Sequence, residues 1–178
     1  NIAKTKLVRF NSKFDGRAAT RFNLGNEIVK ETDSYCYLGI EIHKSGSFSL
    51  ARSELKKKAL RALYGLKSTI NKTKISFRAL TTLFDSLIKP IVLYGAPIVT
   101  PTMSIIKTLC SNSHTSRNRS SILKKLSNTE FEKVHLHFLK WALGVNRKAS
   151  NIGTWGETGR YPLVYEAARL TLKYVKRL

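Results

Sequence analysis

The chain has 178 residues, 42% of them hydrophobic, and carries 32 Lys and Arg against 11 Asp and Glu, a formal net charge of +21. Such a length and apolar content suffice for one folded domain or two small ones, and the charge favours polyphosphate backbones as partners, whose neutralised phosphates release counterions. The two cysteines, Cys36 and Cys110, lie far apart and exclude a disulfide framework, which fits a reducing, intracellular compartment, nuclear or cytoplasmic.

The first third reads as β structure. The chain starts without Met in what reads as the approach to a strand, which marks it as a fragment of something longer or a processed product. Lys6 to Phe10 is a short strand candidate. Thr20 to Leu24 alternates with period two, Gly25-Asn26 has the chemistry of a tight hairpin turn, and Glu27 to Glu31 is the expected return strand. Tyr35 to His43 reads as one continuous strand, with Cys36, Leu38, Ile40 and Ile42 on a core face and Tyr35, Tyr37, Gly39, Glu41 and His43 on the other. Ser45-Gly46 closes the unit.

The rest reads as α structure. From Ser49 to about Ile70, apolar residues recur at Leu55, Ala59, Leu63, Leu66 and Ile70, while Arg52, Lys56, Lys57 and Arg61 fall largely off that stripe. A second helix is expected from Ser76 to Lys89, with Leu80, Leu83, Phe84, Leu87 and Ile88 inward, and Pro90 should end it. Ile91 to Val99, interrupted by Gly95 and Pro97, is the longest apolar run and is too short to span a bilayer. No signal-peptide pattern is present. The positive charge is spread through the whole chain rather than gathered in a tail, which places nucleic acid ahead of an anionic membrane surface. A short helix is expected over Thr102 to Leu109. Cys110 to Asn128 is Ser- and Asn-rich and reads as a mobile basic loop with Arg117, Arg119, Lys124 and Lys125. Thr129-Glu130-Phe131-Glu132 has the pattern of a capping box. The helix it opens buries Phe131, Val134, Phe138, Trp141 and Ala142 and is capped by Gly144. A last helix begins at Pro162, turns Leu163, Ala167, Leu170 and Tyr174 inward, and ends in Lys173, Lys176 and Arg177.

The fold class expected is α+β: a small antiparallel unit of three to four strands, then a bundle of four to five helices. The expected segments are 1–47 (β-unit), 48–109 (helices), 110–128 (basic loop) and 129–178 (C-terminal helices).

Catalytic signals are sparse. Two-metal nucleotidyl transfer needs clustered carboxylates, yet the only aspartates are Asp15, Asp33 and Asp85, in separate elements. His135 and His137 are two apart on a helix and point to different faces. There is no Cys-x-x-Cys, no phosphate loop and no nucleophile elbow. Neither a complete enzyme nor a metal site is expected from these residues.

The order of several short motifs adds to this. Asn1-Ile2-Ala3-Lys4-Thr5-Lys6 resembles the Asn-x-x-Lys-Thr segment after the catalytic Asp-Asp strand of reverse transcriptases from non-LTR (LINE-type) retrotransposons. Tyr37-Leu38-Gly39-Ile40, with the Gly46-Ser47-Phe48 step, resembles that family's primer-grip strand. Leu87 to Gly95, a helix ending in Pro90 and then Tyr94-Gly95, is similar to its thumb motif. Phe138-Leu139-Lys140-Trp141 with Leu143-Gly144-Val145, and Glu157-Thr158-Gly159-Arg160-Tyr161-Pro162-Leu163, resemble the segments that follow.

The resemblance spans nearly the whole chain and implies the end of a polymerase palm, the thumb, and the helices after it. The strands bearing the metal-binding aspartates are missing, so Mg²⁺ is implied only for the parent polymerase and no cofactor for this chain. The implied partners are an RNA/DNA primer–template duplex and the upstream fingers and palm. Lys4 matches the lysine near the incoming nucleotide, with an electrostatic or proton-donating role. Tyr37, Leu38 and Gly39 match the primer grip, where a strand edge and a glycine admit the sugar-phosphate chain. Arg52, Lys56, Lys57 and Arg61 are expected to line the first thumb helix against the duplex, and Arg117, Arg119, Lys124 and Lys125 to add contacts from the loop. Trp141 and Tyr94 are expected to be packed rather than stacked on bases, while Trp155, between Gly153 and Gly156, is open to either state. Two other functions remain: a stand-alone nucleic-acid-binding or adaptor protein derived from such an element, and a helical protein-interaction module.

Overall fold

The computed structural model describes residues 5–10, 22–71, 74–100 and 116–178, the side chains of 116–120 excepted. The expected helix over Thr102 to Leu109 lies outside these residues, as do Lys4, Asp15 and Cys110. The architecture is α+β, and the chain divides into two compact units, Asn1–Ala51 and Arg52–Leu178.

The first unit holds three separate two-stranded ladders rather than one antiparallel sheet. β1 (Lys6–Leu7) pairs in parallel with β4 (Lys30–Glu31), which corrects the all-antiparallel expectation. β2 (Asn23–Leu24) and β3 (Glu27–Ile28) form the hairpin predicted at Gly25-Asn26, with Gly25 at φ 64 as the first central residue of a type II′ turn requires. The expected single strand from Tyr35 to His43 is instead a hairpin of β5 (Ser34–Tyr37) and β6 (Ile40–His43). Leu38 and Gly39 form its turn, both with positive φ (47 and 81), the type I′ signature. The two-residue turn changes the face assignment. Tyr35 now sits opposite Ile42 and Tyr37 opposite Ile40, so these four share one face, while Cys36 and Glu41 share the other. Between residues 5 and 50 no described residue is buried.

Leu38 is a bulky residue in left-handed conformation, a strain of roughly 1 kcal/mol. Leu38→Asn, which tolerates positive φ, is expected to slow amide exchange of the β5–β6 hairpin by about fivefold. Unchanged or faster exchange contradicts the assigned turn.

The second unit is helical. α1 (Ser49–Thr69) buries Leu55, Ala59 and Leu63, as its periodicity predicts. α2 (Phe77–Leu83) starts at Ser76, whose hydroxyl accepts from the Ala79 amide. The helix then widens into a π-helical turn, Phe84–Ile88, and passes through Pro90 in α3 (Lys89–Val92). Pro90 does not end the helix because the wide turn already breaks the i→i−4 ladder; the Lys89 amide reaches back to the Phe84 carbonyl. The register change brings Phe84 and Ile88 fully inside and leaves Leu87 exposed, against expectation. Gly95 (φ 64) turns the chain into α4 (Ala96–Val99), and Tyr94 at this bend is exposed, not packed.

The expected basic loop is a helix over its described part, α5 (Ser116–Ser127). Ile122, Leu123 and Leu126 supply its inward stripe, a signal that the Ser-rich composition masks. α6 (Glu130–Leu143) is central: Phe131, Val134, Leu136, Phe138 and Leu139 are all buried. Gly144 (φ 75) caps it, and the Val145 amide returns to the Lys140 carbonyl at 3.0 Å. The capping box does not form. Thr129 gives its hydroxyl to the Leu126 carbonyl, and Glu132 turns inward. α7 (Asn151–Thr158) is an additional helix that buries Trp155. α8 (Leu163–Val175) packs on α4 and α6 through Leu163, Val164, Ala167 and Thr171, while Tyr174 is exposed.

Asp85 lies between two cations, bidentate to the Arg160 guanidinium and 3.3 Å from Lys89 Nζ. Burial pushes its carboxyl up, but the Arg160 hydrogen bonds and the charges of Arg160 and Lys89 outweigh it and hold the group below its ordinary 3.8. The folded state therefore gains stability above that value and loses it as pH falls through the lower folded value. Partial exposure reduces the gain to about 1 kcal/mol. Asp85→Asn is expected to be less stable than the parent by that amount at neutral pH, with the difference shrinking as pH falls below the ordinary carboxylate range. A difference independent of pH contradicts the assignment.

Candidate nucleic-acid interface

In the first unit the Tyr-Leu-Gly motif forms a hairpin tip rather than a strand edge. Tyr37 and Leu38 are exposed, Leu38 to 72%. A turn with two positive φ values draws the backbone tight, and Gly39 has no side chain to block an approaching sugar-phosphate chain.

In the second unit α1 separates the four cations expected to act together. At 3.6 residues per turn, Arg52 and Lys56 project on the same side as Leu55, Ala59 and Leu63, whereas Lys57 and Arg61 project opposite. The consequences are direct. Arg52 donates through Nη1 to the Val99 carbonyl at 2.9 Å, satisfying an orphan acceptor at the end of α4. Lys56 Nζ lies 2.6 Å from Glu130 Oε2 and ties α1 to the start of α6. The Lys56 hydrogen bond, with help from Lys133, outweighs burial and holds the Glu130 carboxyl below its ordinary value. Both cations expected to meet phosphate thus have structural partners, and both remain partly accessible.

The outward cations are Lys57, Lys58 and Arg61. Lys57 pairs with Glu54 at 2.7 Å along the helix surface, an exposed, solvent-screened contact that yields readily to a phosphate. Lys58 is the residue missed from sequence; its place beside Lys57, one residue before the buried Ala59, was the available signal. On α5, Lys124 and Lys125 are exposed, while Arg117 and Arg119 stand on the helix backbone in the part whose side chains are not described.

Trp141 is partly buried against the core, and Lys67 Nζ lies 5.2 Å from its ring. Trp155 is buried and donates Nε1–H to Glu132 at 2.9 Å, so it is not a stacking platform. Among the described residues, no group of three or more His, Cys, Asp or Glu gathers to hold a metal, and no helix is long and apolar enough to cross a membrane. Comparison with protein-family models, with curated proteins and with solved structures finds no match to this chain.

Proposed function

We propose that this chain is the palm end and thumb of an RNA-directed DNA polymerase of the non-LTR retrotransposon kind, and that it grips a primer–template duplex through sugar and phosphate. The observation that carries the reading is the outward face of α1, where Lys57, Lys58 and Arg61 stand clear of the core in a chain of net charge +21. Cations spaced along a straight helix match phosphates spaced along a duplex rail, and such contacts carry no sequence information.

Two further features support it. The motif order along the chain follows the family's. The first unit has no buried described residue up to position 50, and Phe22, Leu24, Ile28 and Tyr37 are exposed. Two-stranded ribbons of this kind are marginal alone and need a larger sheet or a helix beside them, the setting a palm supplies. The role of the chain is then to bind and orient. Tyr37, Leu38 and Gly39 hold the primer backbone at the hairpin tip, and the α1 cations neutralise the rail. The magnesium ions of the parent polymerase require clustered carboxylates, which the resemblance assigns to its upstream palm.

The test is a titration of the chain with an RNA–DNA hybrid over a range of salt. Neutralising about six phosphates gives a slope of log K against log salt of roughly −5. Replacing Lys57, Lys58 and Arg61 with Ser should make the slope shallower by roughly 2–3. A slope near zero, or an unchanged slope in the triple variant, overturns the proposal.

A further inference from the structure

α1 also contributes to a concave site of a different kind. Its volume is about 410 Å³, inside the roughly 300–1,000 Å³ of small-molecule sites. α1 lines it with Lys56 and Tyr64, α6 with Lys133, His137 and Lys140, and the segment after α6 with Arg147.

The charge in this pocket is one-sided. Glu130, shared by Lys56 at 2.6 Å and Lys133 at 3.2 Å, is the carboxylate paired with the lining lysines. Lys140 is buried, and its ammonium is fixed by the carbonyls of Arg147 (2.9 Å) and Ala149 (2.7 Å) and by Asn151 Oδ1 (2.6 Å). Arg147 is exposed. Lys67 donates to His137 Nε2 at 3.1 Å from the side of α1, and the Tyr64 ring meets His137 edge-on at 5.6 Å.

We propose that this pocket binds a phosphomonoester dianion, carried by a free nucleotide or by the 5′ end of a strand. Along a helix, spaced cations suit successive phosphodiesters. Here the cations line one open concavity, and a cleft walled by one sign of charge raises the local concentration of counter-ions. A monoester carries about −1.5 to −2 charges at neutral pH on one compact group. Arg147 offers a planar fork to it, Lys133 a point charge, and the half-exposed Tyr64 ring a surface for a sugar or base.

His137 reports on the field. Burial, and then the charges of Lys67 and Arg147, lower it from 6.5 to about 4, which keeps the ring neutral at neutral pH. The other ionisable groups that line the pocket are Lys56 and Tyr64 from α1 and Lys133 and Lys140 from α6, and the nearby carboxylate, Glu130, is paired with Lys56 and Lys133. An anion bound between these cations reverses the repulsion and raises the His137 value.

The experiment follows the His137 ring by NMR titration in the full chain, with 5′-adenosine monophosphate, adenosine, or a strand of about ten nucleotides with and without a 5′-phosphate, in about 0.2 M salt. Adenosine monophosphate is expected to raise the His137 value by about one unit, and adenosine to leave it unchanged. If strand ends are the natural source, the 5′-phosphorylated strand binds about tenfold tighter than the 5′-hydroxyl strand. A response to the mononucleotide without that preference assigns the free nucleotide instead. Arg147→Ala with Lys133→Ala, both at exposed positions, should remove the response while leaving the fold intact. The inference is overturned if no phosphate-bearing probe moves His137, if adenosine moves it equally, or if the double variant responds like the parent. The Lys57, Lys58 and Arg61 triple variant separates this site from the duplex rail: it should lose salt-dependent hybrid binding and keep the His137 response.

Discussion

Glu132→Ala is expected to destabilise the second unit by about 3–5 kcal/mol, the largest effect expected of a single polar substitution among the described residues. Glu132 is fully buried, and both its oxygens accept. Oε1 takes His135 Nδ1–H at 2.8 Å and Trp155 Nε1–H at 2.9 Å, and Oε2 takes the Leu163 amide at 2.6 Å. That amide is the first of α8, an orphan donor at a helix start where negative charge is favoured. One carboxylate thus joins α6, α7 and α8. Truncation leaves three donors buried without an acceptor, each with a desolvation cost of about 1–3 kcal/mol. The His135 ring gains no replacement, because its Nε2 already lacks a partner among the described residues. Thermal unfolding should show a fall in Tm of roughly 10 °C. Glu132→Gln keeps one acceptor oxygen but turns an amide against a donor, and should lose about half as much. Trp155→Phe removes one donor together with its need and should lose about 1 kcal/mol. If Glu132→Ala stays within about 1 kcal/mol of the parent, the carboxylate does not hold the three helices together.

Phe84→Ala should cost a similar 3–5 kcal/mol by a different route. Phe84 is fully buried, stacked on Phe138 with centroids 4.5 Å apart and on His135 at 5.4 Å. Its removal loses the transfer energy of the ring, leaves a cavity between α6 and the π-helical turn, and strips one face of a histidine that has no other use for it. Phe84→Leu, which refills most of the volume, should recover at least half of the loss. Urea unfolding of the two variants measures both. Equal losses for Ala and Leu would place the energy in the ring stacking rather than in filled volume, and a loss below about 1 kcal/mol for Ala would show that the site collapses freely.

The parts of the fold legible in sequence are those set by neighbours along the chain. The stripe Leu55, Ala59 and Leu63 follows from helical period alone, Gly25-Asn26 from turn chemistry, and Gly144 from the absence of a Cβ at positive φ. Leu38-Gly39 was hidden because a leucine at positive φ carries no turn signal, and the residues on either side of it continue the strand alternation. The π-helical turn was hidden for a related reason: Pro90 reads as a stop, and only the packing of Phe84 against Phe138 shows why the helix widens instead.

For the candidate interface, sequence supplied the cations but not their orientation. Arg52 and Lys57 are equal to any composition count. One caps α4 through a carbonyl 47 residues away, and the other faces outward beside Lys58 and Arg61.

What the residues determined by themselves was therefore the α+β order, the helix stripes and the large positive charge. What the tertiary structure decided was which charged groups are occupied. Glu132 leaves its capping box for one donor a turn away and two distant ones, Lys56 turns to Glu130, and the cationic pocket is assembled from α1, α6 and the segment beyond. Periodicity is a property of one helix, whereas the partner of a polar group is chosen by whichever donor or acceptor folding brings within hydrogen-bonding distance, and burial makes leaving it unpaired the costlier alternative.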